Sequence, residues 1–179
     1  MLSNVKCDRQ TLGAVLWPLL LSLALPVSIQ AAEPASAARL DEVAERGAKV
    51  MPFNLEKTTH VFSKTEHGGR QEVIAKDAAD AAQIRLIREH LSAIAQGFAQ
   101  GDFKGPAKIH GEAMPGLAAL RGARAGQVKY AYQDLADGGS IDYVTDDPAL
   151  VEAIHRYFDA QLSDHARHAM PGHHDMHGH

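Results

Sequence analysis

An α+β fold with two ββα-like halves is what the sequence predicts, and three observations predict it. Two stretches, 58–76 and 127–145, alternate in side-chain character and are each interrupted by a glycine-containing turn. Each is followed by a run whose apolar residues recur at helical spacing. The 179-residue chain is 45% hydrophobic and 22% charged, which suits one packed domain and argues against disorder. Two long helices packed on one face of a small, mainly antiparallel sheet satisfy that order of elements.

The elements follow in order. Residues 33–50 are alanine-rich and polar, with Leu40, Val43 and Ala44 at helical spacing, and read as a tether or loose helix. Pro52 and Asn54 break it, so a single α+β domain is expected over 51–168. The β-branched alternation TTHVFSKT (58–65), the turn at Glu66-His67-Gly68-Gly69 and the return strand at 71–76 make a hairpin. Asp77 opens a helix whose stripe is Ile87, Leu91, Ile94 and Phe98, and Gly101 ends it. Residues 102–126 are looser, and Pro115 opens a short helix through Leu117 and Leu120. Val128, Tyr130 and Tyr132 share one strand face, Asp137-Gly138-Gly139 turns, and Ile141, Tyr143 and Thr145 alternate on the return. Asp146 or Asp147 caps the last helix, with Pro148 in its first turn and a stripe of Leu150, Ile154, Phe158 and Leu162 that fades near His168. Residues 169–179 form a flexible His/Met-rich tail without a regular period.

Residues 1–32 read as a secretory signal peptide. Lys6 and Arg9 give a positive start, residues 11–27 are an apolar run, and Ala31 and Ala32 offer a cleavage point. The alternative is an uncleaved anchor, against which Pro18 and Pro26 interrupt a run of near-minimal length. Cys7 precedes the apolar run and leaves with it, so the exported chain has no disulfide and no thiolate. The expected destination is the periplasm, with no membrane contact after cleavage.

Composition excludes several classes. The formal charge is −4, with no basic stripe for nucleic acid. There is no Gly-x-Gly-x-x-Gly, no phosphate loop, no Gly-x-Ser-x-Gly elbow and no His-Glu-x-x-His. Nothing commits the chain to catalysis.

The unusual feature is histidine: 11 of them, all after residue 59. His165, His168, Met170, His173, His174, Met176, His177 and His179 fall at the C-terminus. Imidazole suits Cu(II), Ni(II) and Zn(II), and thioether selects Cu(I), so a cysteine-free mixture points to copper, with another divalent transition metal as the alternative. A passive, solvated tail is the plainer reading. His110 and Met114 are four apart and would share a face if their stretch is helical; otherwise Met114 fills core space and His110 bonds a loop. His90 and His155 flank the helix stripes, His165 lies on the second stripe, and His60 alternates with Phe62. Each buried imidazole needs a partner, so this shared demand suggests an inner metal or haem site beside the tail.

The stretches MPFNLEKTTHVF (51–62), IRLIREHL (84–91), GDFKGPAKIHG (101–111), MPGLAAL (114–120) and DDPALVEAIHRYFDAQLSDH (146–165) resemble a family of small exported bacterial proteins of unestablished function. Some of its members carry the label aspartate carbamoyltransferase. That enzyme's Ser-Thr-Arg-Thr and His-Pro-x-Gln motifs do not occur here. The resemblance implies a compact exported domain and no particular activity.

These readings converge on a periplasmic copper-binding protein, a buffer or delivery protein in metal tolerance, with the metal ion and another metal-handling protein as partners. The runner-up is a non-catalytic partner-binding module with an incidental tail, and a third is a haem or metal site in the inner histidines.

Overall fold

The computed structural model describes residues 35–172. The signal-peptide segment and His173, His174, Met176, His177 and His179 of the tail lie outside them.

Ser36 accepts from the Arg39 backbone N–H and caps α1, Ala37–Val50. Of the tether or loose helix expected here, the structure has the helix, and a docked one. Val43 is fully buried, and α1 packs on two later helices. A 3-10 turn at Leu55–Lys57, capped by Asn54, leads into β1, Thr58–Thr65, and β2, Gly68–Ala75. Asp80, not Asp77, caps α2, Ala81–Ala99. Asp77 instead accepts from the Ala79 N–H and shapes the turn before it. Two aspartates stood three apart, and the one adjoining the apolar stripe takes the cap.

Residues 102–126 hold more structure than expected. They form α3, Lys104–His110, as well as α4, Leu117–Gly122. Gly116 enters α4 with φ 79°, and a Cβ there would stand 2.1 Å from the Ala153 carbonyl oxygen. Only glycine lets the chain pass that close to the last long helix. Then come β3, Lys129–Leu135, and β4, Gly138–Val144. Asp147 caps α5, Pro148–Asp164, with Pro148 at its start, and the helix stops at Asp164 rather than near His168. A last strand, β5, Ala169–Pro171, was expected to be tail.

The five strands lie in the order β3-β4-β2-β1-β5, antiparallel except for the β1–β5 pair. The β1–β2 and β3–β4 hairpins, each followed by α2 or α5, are the two ββα-like halves. Register places His60 opposite Val73, Phe62 opposite Gln71, and Gln71 opposite Ile141. These side chains point to the face covered by α2 and α5, where the core lies. The alternate positions Val61, Ile74, Arg70 and Asp142 form the other face, which is only half-buried. α1 and α3 close one end of the helical layer, beside the C-terminal end of α5. No helix among the described residues is long and apolar enough to cross a membrane.

Candidate functional site

Four of the expected histidines meet where β1, α3 and the end of α5 come together. His60 comes from the inward face of β1, His110 is the last residue of α3, and His165 caps the C-terminus of α5. Gly111, at φ 92°, ends α3 immediately after His110. His165 donates its backbone N–H to Gln161, and the turn it starts folds back so that His60 N–H bonds the His168 carbonyl at 2.7 Å. That bond precedes the parallel pairing of β5 with β1. The C-terminal segment is thereby stitched over the cluster.

His165 is the centre of the group. Its ring lies 5.5 Å from that of His60 and 4.9 Å, edge-on, from that of His110. His60, His110 and His165 are all buried. The Nε2 atoms of His60 and His165, and Nδ1 of His168, are enclosed and have no hydrogen-bond partner among the described residues. Buried polar atoms are normally paired, so three orphans in one place require a cause. Burial first, and then the neighbouring imidazoles, push the His60 pKa down to about 3. His165 is driven well below its ordinary value by the same two causes, against an opposing pull from Asp164. Both rings are therefore neutral and keep a lone pair.

His110 is held differently. Its Nδ1 donates to Asp164 Oδ2 at 2.7 Å. Arg39 grips the same carboxylate with Nε at 3.1 Å and one terminal nitrogen at 2.7 Å, and also reaches the His110 carbonyl. Burial alone would raise the Asp164 pKa, but the hydrogen bonds from His110 and Arg39 outweigh it and hold the carboxyl well below its ordinary range. In a neutral ring, an ionised acceptor on Nδ1 fixes the tautomer and leaves Nε2 as the lone-pair nitrogen.

The other expected ligands separate from this cluster. His155 Nε2 donates to the Thr65 and Gly68 carbonyls at 3.0 and 2.9 Å, which makes it a clasp on the β1–β2 turn. His90 lies edge-on to Phe53 at 5.5 Å. His110 and Met114 do not share a helix face, because α3 ends at His110; Met114 lies beyond Gly111, buried, and lines the same groove as His110. His168, the fourth of the group, stays with the cluster and turns its Nε2 to Glu56 at 3.2 Å. Met170 is on β5 and is half-exposed. Among the described residues no three His, Cys, Asp or Glu side chains are grouped closely enough to hold one ion as they stand. Sequence reasoning missed Asp164 and Arg39. The pair is remote in sequence, and only the docking of α1 on α5 brings it together.

Next to the cluster, between α2 and α5, lies a cavity of ≈ 70 Å³. His60, His90 and His110 form part of its wall. No family of known proteins, no curated protein and no solved structure matches this chain.

Proposed function

We propose that the protein is an exported copper-binding protein of the bacterial periplasm, a buffer or delivery protein in metal tolerance. One observation carries this reading: the rings of neutral His60 and His165 lie 5.5 Å apart, their Nε2 atoms unpartnered among the described residues, beside a His110 oriented by a carboxylate. Ligating histidines regularly donate their other N–H to such a carboxylate. Neutral imidazoles suit a low-charge ion such as Cu(I), whose burial among uncharged groups is less costly than that of a dication. Rotation of the rings about their side-chain torsions would close them on the ion. The His/Met tail would capture it outside.

Haem has less support, because a macrocycle is far larger than the ≈ 70 Å³ beside the histidines. The partner-module reading draws on the half-exposed sheet face, where Val144 and Met170 are the exposed large apolar side chains among the described residues.

Titration of Cu(I) and Cu(II) against a competing chelator tests the proposal. It compares residues 33–179, a chain ending at Gly172, which keeps β5, and the His60→Leu form of each. Tight binding that survives the truncation and is lost with His60→Leu supports the inner site. Binding lost with the tail alone reduces the protein to a surface scavenger. Failure of all forms to compete overturns the copper reading.

A further inference from the structure

The cavity beside the histidines has a chemistry of its own, independent of any metal. Its floor is the sheet, with His60, Gln71 and Val73. One wall is α2, contributing Leu91, Ile94 and Phe98; the opposite wall is α5, contributing Tyr157 and Gln161. Not one lining residue is Lys, Arg, Asp or Glu. A charged guest would lose its hydration and find no counter-charge, so the site selects against ions.

The polar groups on the floor and the α5 wall have unused capacity. Gln71 accepts from the Tyr143 hydroxyl at 2.6 Å through its carbonyl oxygen, and its amide N–H₂ has no partner among the described residues. Gln161 donates its amide N–H₂ to the Tyr157 hydroxyl at 2.9 Å, and its carbonyl has no partner among them. Both glutamines are buried, and His60, also buried, adds its unpartnered Nε2 nearby. A donor on Gln71, an acceptor on Gln161 and the His60 Nε2 therefore remain on the floor and the α5 wall; Leu91, Ile94 and Phe98 face them from α2, and the rings of His90 and His110 also belong to the lining. A cavity built only for packing would have apolar walls throughout and would stay empty. A pocket that is mostly apolar with a few convergent polar groups is the usual form of a small-molecule site.

We infer that this cavity is a binding site for a small uncharged molecule with one hydroxyl or amide end and an apolar end. The polar end accepts from Gln71 and donates to Gln161 or His60, and the apolar end lies against Leu91, Ile94 and Phe98. A cavity of ≈ 150 Å³ holds benzene, so ≈ 70 Å³ sets the guest at about three to five heavy atoms.

The test is an NMR titration of the metal-free chain with 1-butanol, propionate and butylammonium, each of five heavy atoms, read on the backbone amides of β2, α2 and α5. The expected result is saturable shifts at the cavity residues with 1-butanol, and binding at least about tenfold weaker for either ion. Ile94→Trp, at a half-exposed position, should fill the cavity and abolish the shifts while the thermal melt stays cooperative. Gln161→Leu should weaken butanol severalfold without closing the space. Shifts that persist in Ile94→Trp, equal binding of the charged analogues, or no saturable shift with butanol would each overturn the inference.

Discussion

Asp164 and His110 are joined by a 2.7 Å hydrogen bond, and Arg39 clamps both oxygens of the same carboxylate, the one that His110 bonds included. The two residues end different helices, α5 and α3, so the bond also ties those helix ends together. Its consequence for chemistry is the orientation of one imidazole.

If the cluster takes a metal, that orientation sets the affinity. Arg39→Ala frees Asp164, and Asp164→Asn removes its charge. Either should weaken metal binding by about 10–100-fold without removing a ligand. Competition titrations on the chain ending at Gly172 would read this directly. Unchanged affinity would mean that His110 takes no part.

Acid should destabilise the fold earlier than in an ordinary domain. An unfolded histidine titrates near 6.5, whereas folded His60 stays neutral down to about 3. Between those values the unfolded chain binds more protons, so stability falls as pH drops below about 6.5. The loss from His60 is about 2 kcal/mol at pH 5. His165 is shifted in the same direction and adds to it. Asp164 acts lower: its contribution is present above the ordinary carboxylate range and is lost as pH falls through and below it. Urea midpoints at pH 7.5 and 5 would show the drop, and His60→Leu should flatten it.

The same substitution separates stability from function. Leucine at 60 removes an orphaned polar atom from the interior. The protein at pH 7.5 should be as stable as before, or more so by about 1 kcal/mol, while losing the inner site. A loss of several kcal/mol would mean that His60 has a structural partner.

Gly116 is expected to tolerate nothing larger. Alanine there meets a positive φ and the Ala153 carbonyl together, and should cost at least about 2 kcal/mol in a denaturant melt. Gly111 has a positive φ but open space around it, so Gly111→Ala should cost less.

Much of this architecture was legible in local pattern. Period-two alternation found all four long strands, and the stripes Ile87–Leu91–Phe98 and Leu150–Ile154–Phe158 found the helices that cover them. α3 was missed because KGPAKIH contains a glycine and a proline and is too short to show a period; what holds it is burial of Pro106, Ala107 and Ile109. α1 read as a tether or loose helix because its apolar face is small, yet Val43 and Arg39 dock it through contacts that no local window contains. β5 has three residues, and its strand character comes from the ladder with β1 alone. For the histidines, sequence spacing gave the residue type and the face. Convergence of His60, His110 and His165 depends on β1, α3 and α5 meeting, and His155 turned out to serve a turn instead.

α1 adds no strand pairing to the domain. It rests on α3 and α5, and Leu40 and Ala44 share a small crevice with His165 and His168. Such a helix can lift while every rung of the sheet stays closed, at a free energy below that of global unfolding. Amide exchange in α1 would then run ahead of exchange in β1, β2 and β4. If the buried cluster holds a metal, its residence time would follow the rate at which this one helix opens, and an ion held for long at equilibrium could still be handed on without the domain coming apart.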